Sequence, residues 1–210
     1  MTHGRLQNKV AFITGAGTGI GAATAIRFAQ EGATVVICGR RAEPLNEVVQ
    51  KIKQAGGQAE AVQLDVSQEA AFCAALEDVV KRHGKLDILV NNAMAYSWGA
   101  LESTSTADWH SNFSTSVDGT FWGTREAMKW MKPHGGSIIN LSSICGVLGT
   151  AWMAGYSAAK AAIINFSRAA AAEGAASGIR VNVVIPAVVE TPATAGMLSD
   201  ATARQNTEKL

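Results

Sequence analysis

Short apolar runs alternate along the chain with longer stretches in which apolar residues recur at helical spacing. The runs have the length of strands and cover 10–14, 34–38, 59–64, 86–90, 137–141 and 180–185. The longer stretches predict helices over 19–30, 42–55, 68–83 and 155–176. Two further helical stretches follow a looser segment, 91–106, and run to Met131 with a bend between Ser114 and Gly119. The tail after Pro186 is polar and irregular, with room for a short helix.

This alternation predicts the fold. Strands that are almost continuously Val, Ile and Leu are buried on both faces, as in parallel sheets covered by helices. Helices between successive strands make right-handed crossovers. We therefore predict a doubly wound parallel α/β sheet of the Rossmann type, with six strands in a single domain over residues 1–210. In such sheets the ligand lies beyond the carboxyl ends of the strands, where the strand order reverses.

Composition and charge narrow the function. A formal net charge of +1 gives no electrostatic reason to expect nucleic acid or an anionic membrane as a partner. The sequence contains neither an apolar stretch of about 20 residues nor the apolar core of a signal peptide, so we predict a soluble, cytoplasmic protein. The three cysteines lack CxxC spacing and are expected to be small buried side chains. The four histidines form no metal motif, and no metal site is predicted.

A glycine-rich turn follows the first strand and opens the first helix. It reads Thr-Gly-Ala-Gly-Thr-Gly-Ile-Gly over 14–21, a G-x-x-x-G-x-G spacing without the Lys-Ser/Thr pair of a P-loop. Glycines let the backbone approach a ligand closely, and the free N–H groups of a helix start attract a pyrophosphate. The predicted binding residues are Gly15, Thr18, Gly19, Ile20 and Gly21. The alternative interpretation is a tight strand-to-helix turn with no ligand.

The end of the second strand bears on the choice of dinucleotide. NAD-binding folds usually carry an acid here for the ribose 2′-hydroxyl, whereas an arginine accommodates a 2′-phosphate. The sequence reads Gly39-Arg40-Arg41 and contains no acid at this point. A guanidinium presents a planar fork of donors that suits phosphate. We therefore favour NADP(H), with Arg40 as the phosphate ligand, and keep NAD(H) as the alternative; both arginines would then simply be solvated.

Three polar residues follow the fifth strand in an order that suggests acid/base chemistry. Ser143 follows the strand, and Tyr156 and Lys160 lie four residues apart on the next helix, on one face. An ammonium beside a phenol favours the phenolate and is expected to lower the tyrosine pKa. Tyr156 would then exchange a proton with an alcohol or alkoxide oxygen that Ser143 stabilises. Surface Tyr/Lys pairs are common, so the pair gains its meaning from the glycine turn and Ser143.

Taken together, these motifs resemble the short-chain dehydrogenase/reductase family. The matching pieces span Lys9 to Thr191, nearly the whole chain, and also include Asp65-Val66, Asn91-Asn92-Ala93, and Pro186 with Thr191. The resemblance implies an NAD(P)-dependent oxidoreductase that moves a hydride between the cofactor and a carbonyl or secondary alcohol. It implies no metal, and a dimer or tetramer for the full-length form.

The resemblance also assigns outer positions of the site. It implies that Asp65 and Val66 contact the adenine, that Asn91 supports the central strand, and that Ala93 lies by the adenosine ribose. Lys160 would hold the nicotinamide ribose as well as assist Tyr156. The segment with Pro186, Val189 and Thr191 would engage the carboxamide. Alternative roles stay open, because Asp65 suits a helix cap and Thr191 a turn.

The sequence departs from the family pattern at three places. Ser116 stands where the resemblance implies a catalytic asparagine that holds a water of the proton relay, and Asn112 lies one turn earlier as a partial substitute. A serine hydroxyl is shorter and makes fewer hydrogen bonds than an amide. Met94 and Ala187 replace glycines near the cofactor, which would strain the backbone if either position needs a positive φ. The chain also ends at Leu210, about forty residues earlier than the family pattern, which leaves a fragment, a truncated product and a short form open.

An apolar substrate pocket is expected beside the predicted catalytic residues. Its expected lining is Met94, Tyr96, Trp98, Ile144, Leu148, Trp152, Met153 and Met197, any of which also suits a core or an interface. Ketones, secondary alcohols, steroid-like rings and β-ketoacyl compounds all remain open as substrates. Two competing functions remain: a dinucleotide-binding module with little or no catalysis, which Ser116 and the short C-terminus favour, and, more distantly, a methyltransferase.

Overall fold

Six parallel strands form one sheet at the centre of the molecule. The computed structural model describes residues 4–208. The strands are β1 (Val10–Thr14), β2 (Thr34–Gly39), β3 (Gln58–Gln63), β4 (Ile88–Asn91), β5 (Gly136–Leu141) and β6 (Ile179–Val184). Their order across the sheet is β3-β2-β1-β4-β5-β6. The order reverses between β1 and β4, which fixes the ligand crevice at the carboxyl ends of these two strands. The doubly wound sheet predicted from the sequence is confirmed.

Helices cover both faces of this sheet. They are α1 (Gly19–Gln30), α2 (Ala42–Gln54), α3 (Glu69–His83), α4 (Thr106–Phe113), α5 (Gly119–Met131), α6 (Cys145–Leu148), α7 (Ala154–Gly174), α8 (Ala195–Leu198) and α9 (Ala201–Glu208). The predicted ends agree with these to within a few residues. The polar tail contains two short helices, α8 and α9, where the sequence pattern indicated at most one.

The buried side chains form two layers, one on each face of the sheet. Consecutive residues of β1 point to opposite faces, as in any strand. Phe12 packs in the layer that includes Phe72 of α3 and Met131 of α5. Ile13 packs in the other layer, with Ala25 of α1 and Leu45 of α2. Because both faces of the central strands are buried, the only place left for a ligand on them is beyond their ends.

The bend predicted between the two middle helices is a segment of π-helix. It covers Ser114–Asp118 and joins α4 to α5 without a break. π-Helical turns are rare and occur frequently at functional sites, because the wider turn leaves backbone groups outside the regular hydrogen-bond ladder. This segment therefore marks the stretch around Ser116 as part of a candidate site.

Two expectations about surface and core need adjustment. All three cysteines are free, but only Cys38 is buried, whereas Cys73 and Cys145 are partly exposed. β6 alternates buried and exposed side chains, since Ile179 and Val181 are buried while Arg180 and Asn182 are exposed. One face of this edge strand is thus open, as expected if no further element covers it.

None of the helices formed by residues 4–208 has both the length and the apolar character needed to cross a membrane.

Candidate active site

The end of β1 is fastened to the segment that follows β4. The hydroxyl oxygen of Thr14 accepts hydrogen bonds from the backbone N–H groups of Asn92 and Ala93, each over 2.9 Å. In return, the Asn92 amide donates to the backbone oxygens of Thr14 and Gly15, each over 3.0 Å. These four bonds hold the glycine turn against the loop that leaves β4. They close the floor of the crevice at the point where the strand order reverses.

Glycine is required at several positions of the turn. Gly15 and Gly19 have φ values of 63° and 57°, in the left-handed region that side chains rarely adopt. A Cβ on Gly21 would lie 2.6 Å from both the Asn92 amide nitrogen and the Gly15 carbonyl oxygen. A Cβ on Gly19 would lie 3.3 Å from the side chain of Thr191, so Thr191 closes over the turn. The turn therefore exposes backbone N–H groups at the start of α1 and leaves space for a ligand.

A cavity of about 970 Å³ opens over this turn and extends to the ends of β2, β4, β5 and β6. Most of the predicted site residues line it: Gly15, Thr18, Gly19, Ile20, Arg40, Asp65, Val66, Ala93, Ser143, Tyr156, Lys160, Pro186, Val189 and Thr191. Residues Gly21, Asn91 and Ser116 were also predicted for the site but do not line the cavity. One continuous cavity thus joins the predicted cofactor residues to the predicted catalytic residues.

Two arginines stand where the cavity meets the end of β2. Arg40 and Arg41 both line it and are both exposed. Within residues 4–208 neither guanidinium forms an ion pair with an acid. The Arg40 backbone is fixed, because its carbonyl oxygen accepts a hydrogen bond from the Gln63 side chain over 2.9 Å. This corner of the cavity therefore offers positive charge that is not neutralised internally.

Tyr156, Ser143 and Lys160 converge on the opposite wall. Ser143 lies close enough to Tyr156 to lower the pKa of the phenol, and the Ser143 hydroxyl accepts a hydrogen bond from the Cys145 backbone N–H over 3.2 Å. The Lys160 ammonium lies 5.6 Å from the centroid of the Tyr156 ring. Lys160 is only 2% exposed. The three side chains predicted from the sequence are thus brought together, on the end of β5 and the first turns of α7.

Burial changes the acid strengths in this group. Burial raises the pKa of the Tyr156 phenol above its ordinary value of 10.0. The neighbouring Ser143 hydroxyl lowers that pKa, but by less than burial raises it. Burial also lowers the pKa of Lys160 from 10.5 to about 8. The expectation of a lowered tyrosine pKa is therefore wrong for this arrangement, because desolvation of the phenolate is the largest influence on that pKa. Tyr156 is a protonated phenol at neutral pH.

Two hydrogen bonds to the end of β5 fix the lysine. The Lys160 ammonium donates to the carbonyl oxygen of Leu141, at the end of β5, over 2.7 Å. The Ser142 hydroxyl, also just after β5, donates to the Lys160 backbone oxygen over 2.7 Å. These two bonds tie β5 to α7 on both sides of the lysine. The ammonium therefore has one position relative to Tyr156.

Ser116 occupies a different environment from the three residues above. It lies in the π-helical segment, is 0% exposed, and does not line the cavity. Its hydroxyl oxygen accepts a long hydrogen bond, 3.4 Å, from the backbone N–H of Ala95. Its neighbour Thr115 lines the cavity instead. The hydroxyl of Ser116 thus contacts the loop after β4, and a role for it in proton transfer stays a prediction.

Asn91 has a structural environment below the cavity. Its amide donates to Thr124 of α5 over 3.2 Å and to the side-chain oxygen of Asn140 in β5 over 2.9 Å. Asn140 in turn donates to Ser167 of α7 over 2.8 Å. This buried chain of hydrogen bonds crosses β4 and β5 and links α5 to α7. It is the support of the central strands that the resemblance implied for Asn91, rather than contact with a ligand.

The outer residues combine local roles with access to the cavity. The carboxylate of Asp65 accepts hydrogen bonds from the backbone N–H and the hydroxyl of Ser67, at 3.0 and 2.8 Å, and so shapes the turn before α3. The Thr191 backbone N–H donates to the Thr194 hydroxyl over 3.0 Å in a turn. Asp65 and Thr191 nevertheless line the cavity. Asp65 and Thr191 therefore do stabilise turns, as the alternative interpretation expected. Their positions at the cavity also allow them to contact a ligand.

The expected apolar lining is only partly found. Met94 and Tyr96 line the cavity. The other members predicted for it do not: Trp98, Ile144, Leu148, Trp152, Met153 and Met197. Met94 and Ala187 introduce no backbone strain, because among residues 4–208 the only side-chain-bearing residues with positive φ are Asn8 and Trp152. The missing glycines at 94 and 187 are therefore tolerated without a left-handed backbone.

Some residues of the site were given no role from the sequence, although Thr14 and Asn92 belong to the motifs quoted there. Thr14 and Asn92 make the four bonds that join the glycine turn to the loop after β4. Thr115 and Ser142 line the cavity. The adjacent amides of Asn91 and Asn92 at a strand end were the available signal for the first of these features. Nothing in the spacing indicated Thr115.

Comparison with known proteins gives a consistent result. Residues 9–202 match the family described as short chain dehydrogenase. A 3beta-hydroxysteroid dehydrogenase of Mediterraneibacter gnavus is 39% identical over 192 residues, which cover 91% of this chain and 70% of that protein. The 2,5-dichloro-2,5-cyclohexadiene-1,4-diol dehydrogenase LinX of Sphingobium indicum is 40% identical over 205 residues, 97% of this chain and 82% of LinX.

Solved structures agree with this assignment. A short-chain dehydrogenase/reductase from Burkholderia xenovorans superposes with a TM-score of 0.91 at 34% identity, over 98% of this chain and 82% of that one. A xylitol dehydrogenase solved with NAD+ superposes with a TM-score of 0.85 at 32% identity, over 87% of this chain and 71% of that one.

Proposed function

We propose that this chain, which belongs to the short-chain dehydrogenase family, transfers a hydride between NADP(H) and a carbonyl or secondary alcohol, with Tyr156 as the general acid and base. Family membership makes it an oxidoreductase acting on CH–OH groups. The observation that carries the finer proposal is the convergence of Tyr156, Ser143 and Lys160 on the cavity that the glycine turn also lines.

The residues of the cavity fit a dinucleotide. The turn carries glycines where a Cβ would collide with Asn92 or Thr191, so its backbone is free to approach a pyrophosphate. Asp65 and Val66 line the cavity next to the turn, and Thr191 covers it. The nicotinamide ring of the bound cofactor would supply or accept the hydride. The protein's part is to hold that ring and the substrate carbon together and to manage the proton.

Proton transfer falls to Tyr156. Since burial keeps its phenol protonated at neutral pH, the hydroxyl is ready to donate a proton to the oxygen of a carbonyl that is being reduced. Ser143, which lines the cavity beside Tyr156, would donate to the same oxygen as negative charge develops there. The Lys160 ammonium, 5.6 Å from the centroid of the Tyr156 ring, would stabilise the negative charge that forms on the phenol oxygen when Tyr156 gives up its proton. Oxidation of an alcohol would use the same groups in reverse.

Arg40 supports NADP(H) over NAD(H). Its guanidinium is exposed at the cavity edge without an acidic partner among the described residues. No acid occupies the end of β2, where a ribose 2′-hydroxyl would be bound. A 2′-phosphate would therefore meet one or two unneutralised guanidinium groups, which bind phosphate strongly.

The substrate is proposed to be an alcohol or ketone on an apolar ring. Met94 and Tyr96 line the cavity, and Ser143 and Tyr156 provide hydroxyls at its polar end. An apolar wall with a few polar groups selects an uncharged molecule of matching shape. Both relatives described above are named for alcohols on carbon rings, a steroid and a cyclohexadiene.

Two measurements test the proposal. The fluorescence of NADPH and NADH is titrated against the protein, and then a panel of cyclic and open-chain ketones is screened for NADPH oxidation. We expect NADPH to bind at least about tenfold more tightly than NADH, since a charge-assisted hydrogen bond contributes roughly 1.5–3 kcal/mol. We also expect the cyclic ketones to be reduced fastest. Tighter binding of NADH would refute the role of Arg40.

Binding without turnover would point to the alternative function. A dinucleotide-binding module would retain NADPH affinity but oxidise no NADPH with any ketone of the panel. The specific observation in favour of this alternative is the burial of Ser116 outside the cavity, at the position where the family pattern has a catalytic asparagine. The screen separates the two functions because affinity and turnover are measured independently.

A further inference from the structure

Asn112 is a buried amide whose hydrogen bonds lead to the active-site cavity. It lies in the last turn of α4 and is 0% exposed. Its amide nitrogen donates to the backbone oxygen of Asp108 over 2.8 Å and to the hydroxyl of Ser97 over 2.9 Å. Its amide oxygen is buried and accepts no hydrogen bond from the described part of the chain. Among the described residues, the Asn112 amide thus forms hydrogen bonds only through its nitrogen.

Packing by itself does not favour an asparagine at this position. A buried polar atom without a partner costs about 1–3 kcal/mol. An apolar side chain at this position would not leave a buried polar atom without a partner. The bond from Asn112 to Ser97 crosses from a helix to a loop, and it is the feature that an apolar residue would remove. The presence of the amide therefore indicates a role for that bond.

The bond to Ser97 is one of two that hold the same stretch of loop. The Ser116 hydroxyl, one turn further along, accepts a hydrogen bond from the Ala95 backbone N–H. Asn112 donates to Ser97 two residues later in the loop. Tyr96, between these two points, lines the cavity. The two buried side chains together fix the part of the loop that carries Tyr96 to the wall of the cavity.

Asn112 also lies next to the helix that carries the acid/base residue. A Cβ built on Gly155 would lie 3.2 Å from the Asn112 amide nitrogen and 3.6 Å from the ring of Trp109. Gly155 immediately precedes Tyr156 in the first turn of α7. Asn112 therefore lies between the wall formed by Tyr96 and the turn that presents Tyr156. A change at Asn112 alters the spacing of these two sides of the pocket.

We propose that Asn112 is a positioning residue that sets the width of the substrate pocket by holding the Ala95–Ser97 segment against the start of α7. It acts through Ser97 and Gly155, and it touches neither substrate nor cofactor. This inference rests on the proposed function for its kinetic consequence, because the pocket it shapes is that of the substrate alcohol or ketone. The glycine turn and Arg40 lie elsewhere in the cavity. A change at Asn112 should therefore alter the affinity for substrate and leave the affinity for the cofactor unchanged.

Three variants test this role. Ser97→Ala removes the acceptor on the loop, Asn112→Ala removes the amide, and the double variant removes both. Ser111→Ala is the matched control, since it deletes the same hydroxyl as Ser97→Ala from an exposed position next to Asn112. The assays use the cyclic alcohol or ketone reduced or oxidised fastest by the wild-type protein, together with NADPH binding and hydrogen–deuterium exchange of peptides covering 93–99.

We expect Ser97→Ala and Asn112→Ala each to raise KM for the substrate about fivefold, as loss of one hydrogen bond implies. We expect kcat and the Kd of NADPH to stay within about twofold of wild type, and exchange over 93–99 to become faster. The double variant should be no worse than Asn112→Ala, because one shared bond is lost in both. Ser111→Ala should change none of these quantities.

Other outcomes would overturn the inference. An unchanged KM and unchanged exchange in Ser97→Ala would do so even if Asn112→Ala fails to fold, because Ser97 is only partly buried and its hydroxyl is the proposed contact. Faster exchange with an unchanged KM would show that Asn112 stabilises the loop but does not affect substrate binding, which contradicts the inference. If the wild-type protein turns over no substrate, the proposed function fails, and the exchange measurement alone decides whether Asn112 holds the loop.

Discussion

The Lys160 ammonium donates a hydrogen bond over 2.7 Å to the carbonyl oxygen of Leu141, the last residue of β5. This bond holds a charged group in the interior, where the side chain is 2% exposed. Burial favours the neutral amine and lowers the lysine pKa to about 8. The arrangement keeps an ammonium 5.6 Å from the centre of the Tyr156 ring at some expense in stability. Its stability and its chemistry can be tested separately.

Replacing Lys160 by methionine should change the pH dependence of stability. The pKa of Lys160 is 10.5 unfolded and about 8 folded, so between these values the unfolded chain binds more protons, and wild-type stability rises with pH. Below pH 8 the cost of burying the charge is fully present. We expect the free energy of unfolding of Lys160→Met, relative to wild type, to fall by roughly 3 kcal/mol between about pH 7 and pH 10.5.

Urea unfolding at several pH values in this window measures the difference. Lys51→Met is the control for the loss of a lysine, because Lys51 is exposed on α2. A difference for Lys160→Met that stays constant from pH 7 to pH 10.5 would show that the folded-state pKa of Lys160 is near its ordinary value.

Tyr156→Phe should remove turnover and spare cofactor binding. The variant keeps the aromatic ring and loses only the hydroxyl that is proposed to exchange the proton. General acid–base catalysis typically contributes about 10²–10⁴-fold, so we expect kcat to fall by that order. The only other tyrosine, Tyr96, lines the same cavity and provides the control variant Tyr96→Phe. Similar losses in both variants, measured by NADPH oxidation, would contradict a special role for Tyr156.

Arg40→Ala should weaken NADPH binding by about 10- to 100-fold, the effect of losing a hydrogen bond to a charged group. NADH affinity should stay the same, since NADH has no 2′-phosphate. Arg41→Ala tests the neighbouring guanidinium in the same cavity corner, and we expect a smaller loss. Fluorescence titration with both nucleotides gives the ratio directly. An equal loss for NADH in Arg40→Ala would mean that the arginine maintains structure rather than selecting the phosphate.

Ser116→Asn should keep or raise turnover. An amide reaches further than a hydroxyl. The hydrogen bond that Ser116 accepts from the Ala95 backbone N–H is long, at 3.4 Å, so little is lost when it is replaced. Ser116→Ala provides the comparison, and its loss should be small because a bond of that length is weak. Steady-state kinetics of both variants, with melting temperatures to detect overpacking, decide the matter. A large drop in kcat for the asparagine variant in a stable protein would show that the site is adapted to serine.

Gly21→Ala should damage the cofactor turn. The added Cβ would lie 2.6 Å from the Asn92 amide and the Gly15 carbonyl, so the two loops would have to separate. Overpacking of this kind costs about 1–3 kcal/mol, and we expect a corresponding loss of stability with weaker NADPH binding. Gly196→Ala, in α8, is the control because a Cβ there meets nothing within 4 Å. A Gly21→Ala protein with unchanged stability and affinity would refute the geometry of the turn.

The sequence was sufficient to predict the sheet and the centre of the site. Buried strands appear as continuous apolar runs, and a residue directly after a parallel strand reaches the crevice whatever the details of packing. That is why Ser143, Tyr156 and Lys160 and most of the predicted cofactor residues line one cavity, while their roles stay predictions. The pattern also marked the irregular stretch between α4 and α5, since its polar residues interrupt the helical spacing.

Properties that depend on three-dimensional surroundings were not predictable in this way. The raised pKa of Tyr156 follows mainly from burial, and helix spacing shows which residues are neighbours but not how deeply they are buried. The lining of the pocket depends on loop conformation, so Trp98 and Trp152 were assigned to a cavity that they do not line. The bonds from Thr14 and Asn112 join segments far apart in sequence, and no local pattern encodes them.

The π-helical segment Ser114–Asp118 makes the pocket sensitive to residue number as well as residue type. Successive residues of an ordinary α-helix are rotated by about 100°, and the wider turn absorbs the extra residue without breaking the helix. Deleting one residue here would restore ordinary helical spacing and leave α4 and α5 facing nearly the same way, because the wider turn had absorbed the extra residue. The side chains within the segment, Thr115 and Ser116 among them, would change direction, although α4 and α5 would keep their packing. Chains of this kind are therefore best aligned by length through this segment before their residues are compared.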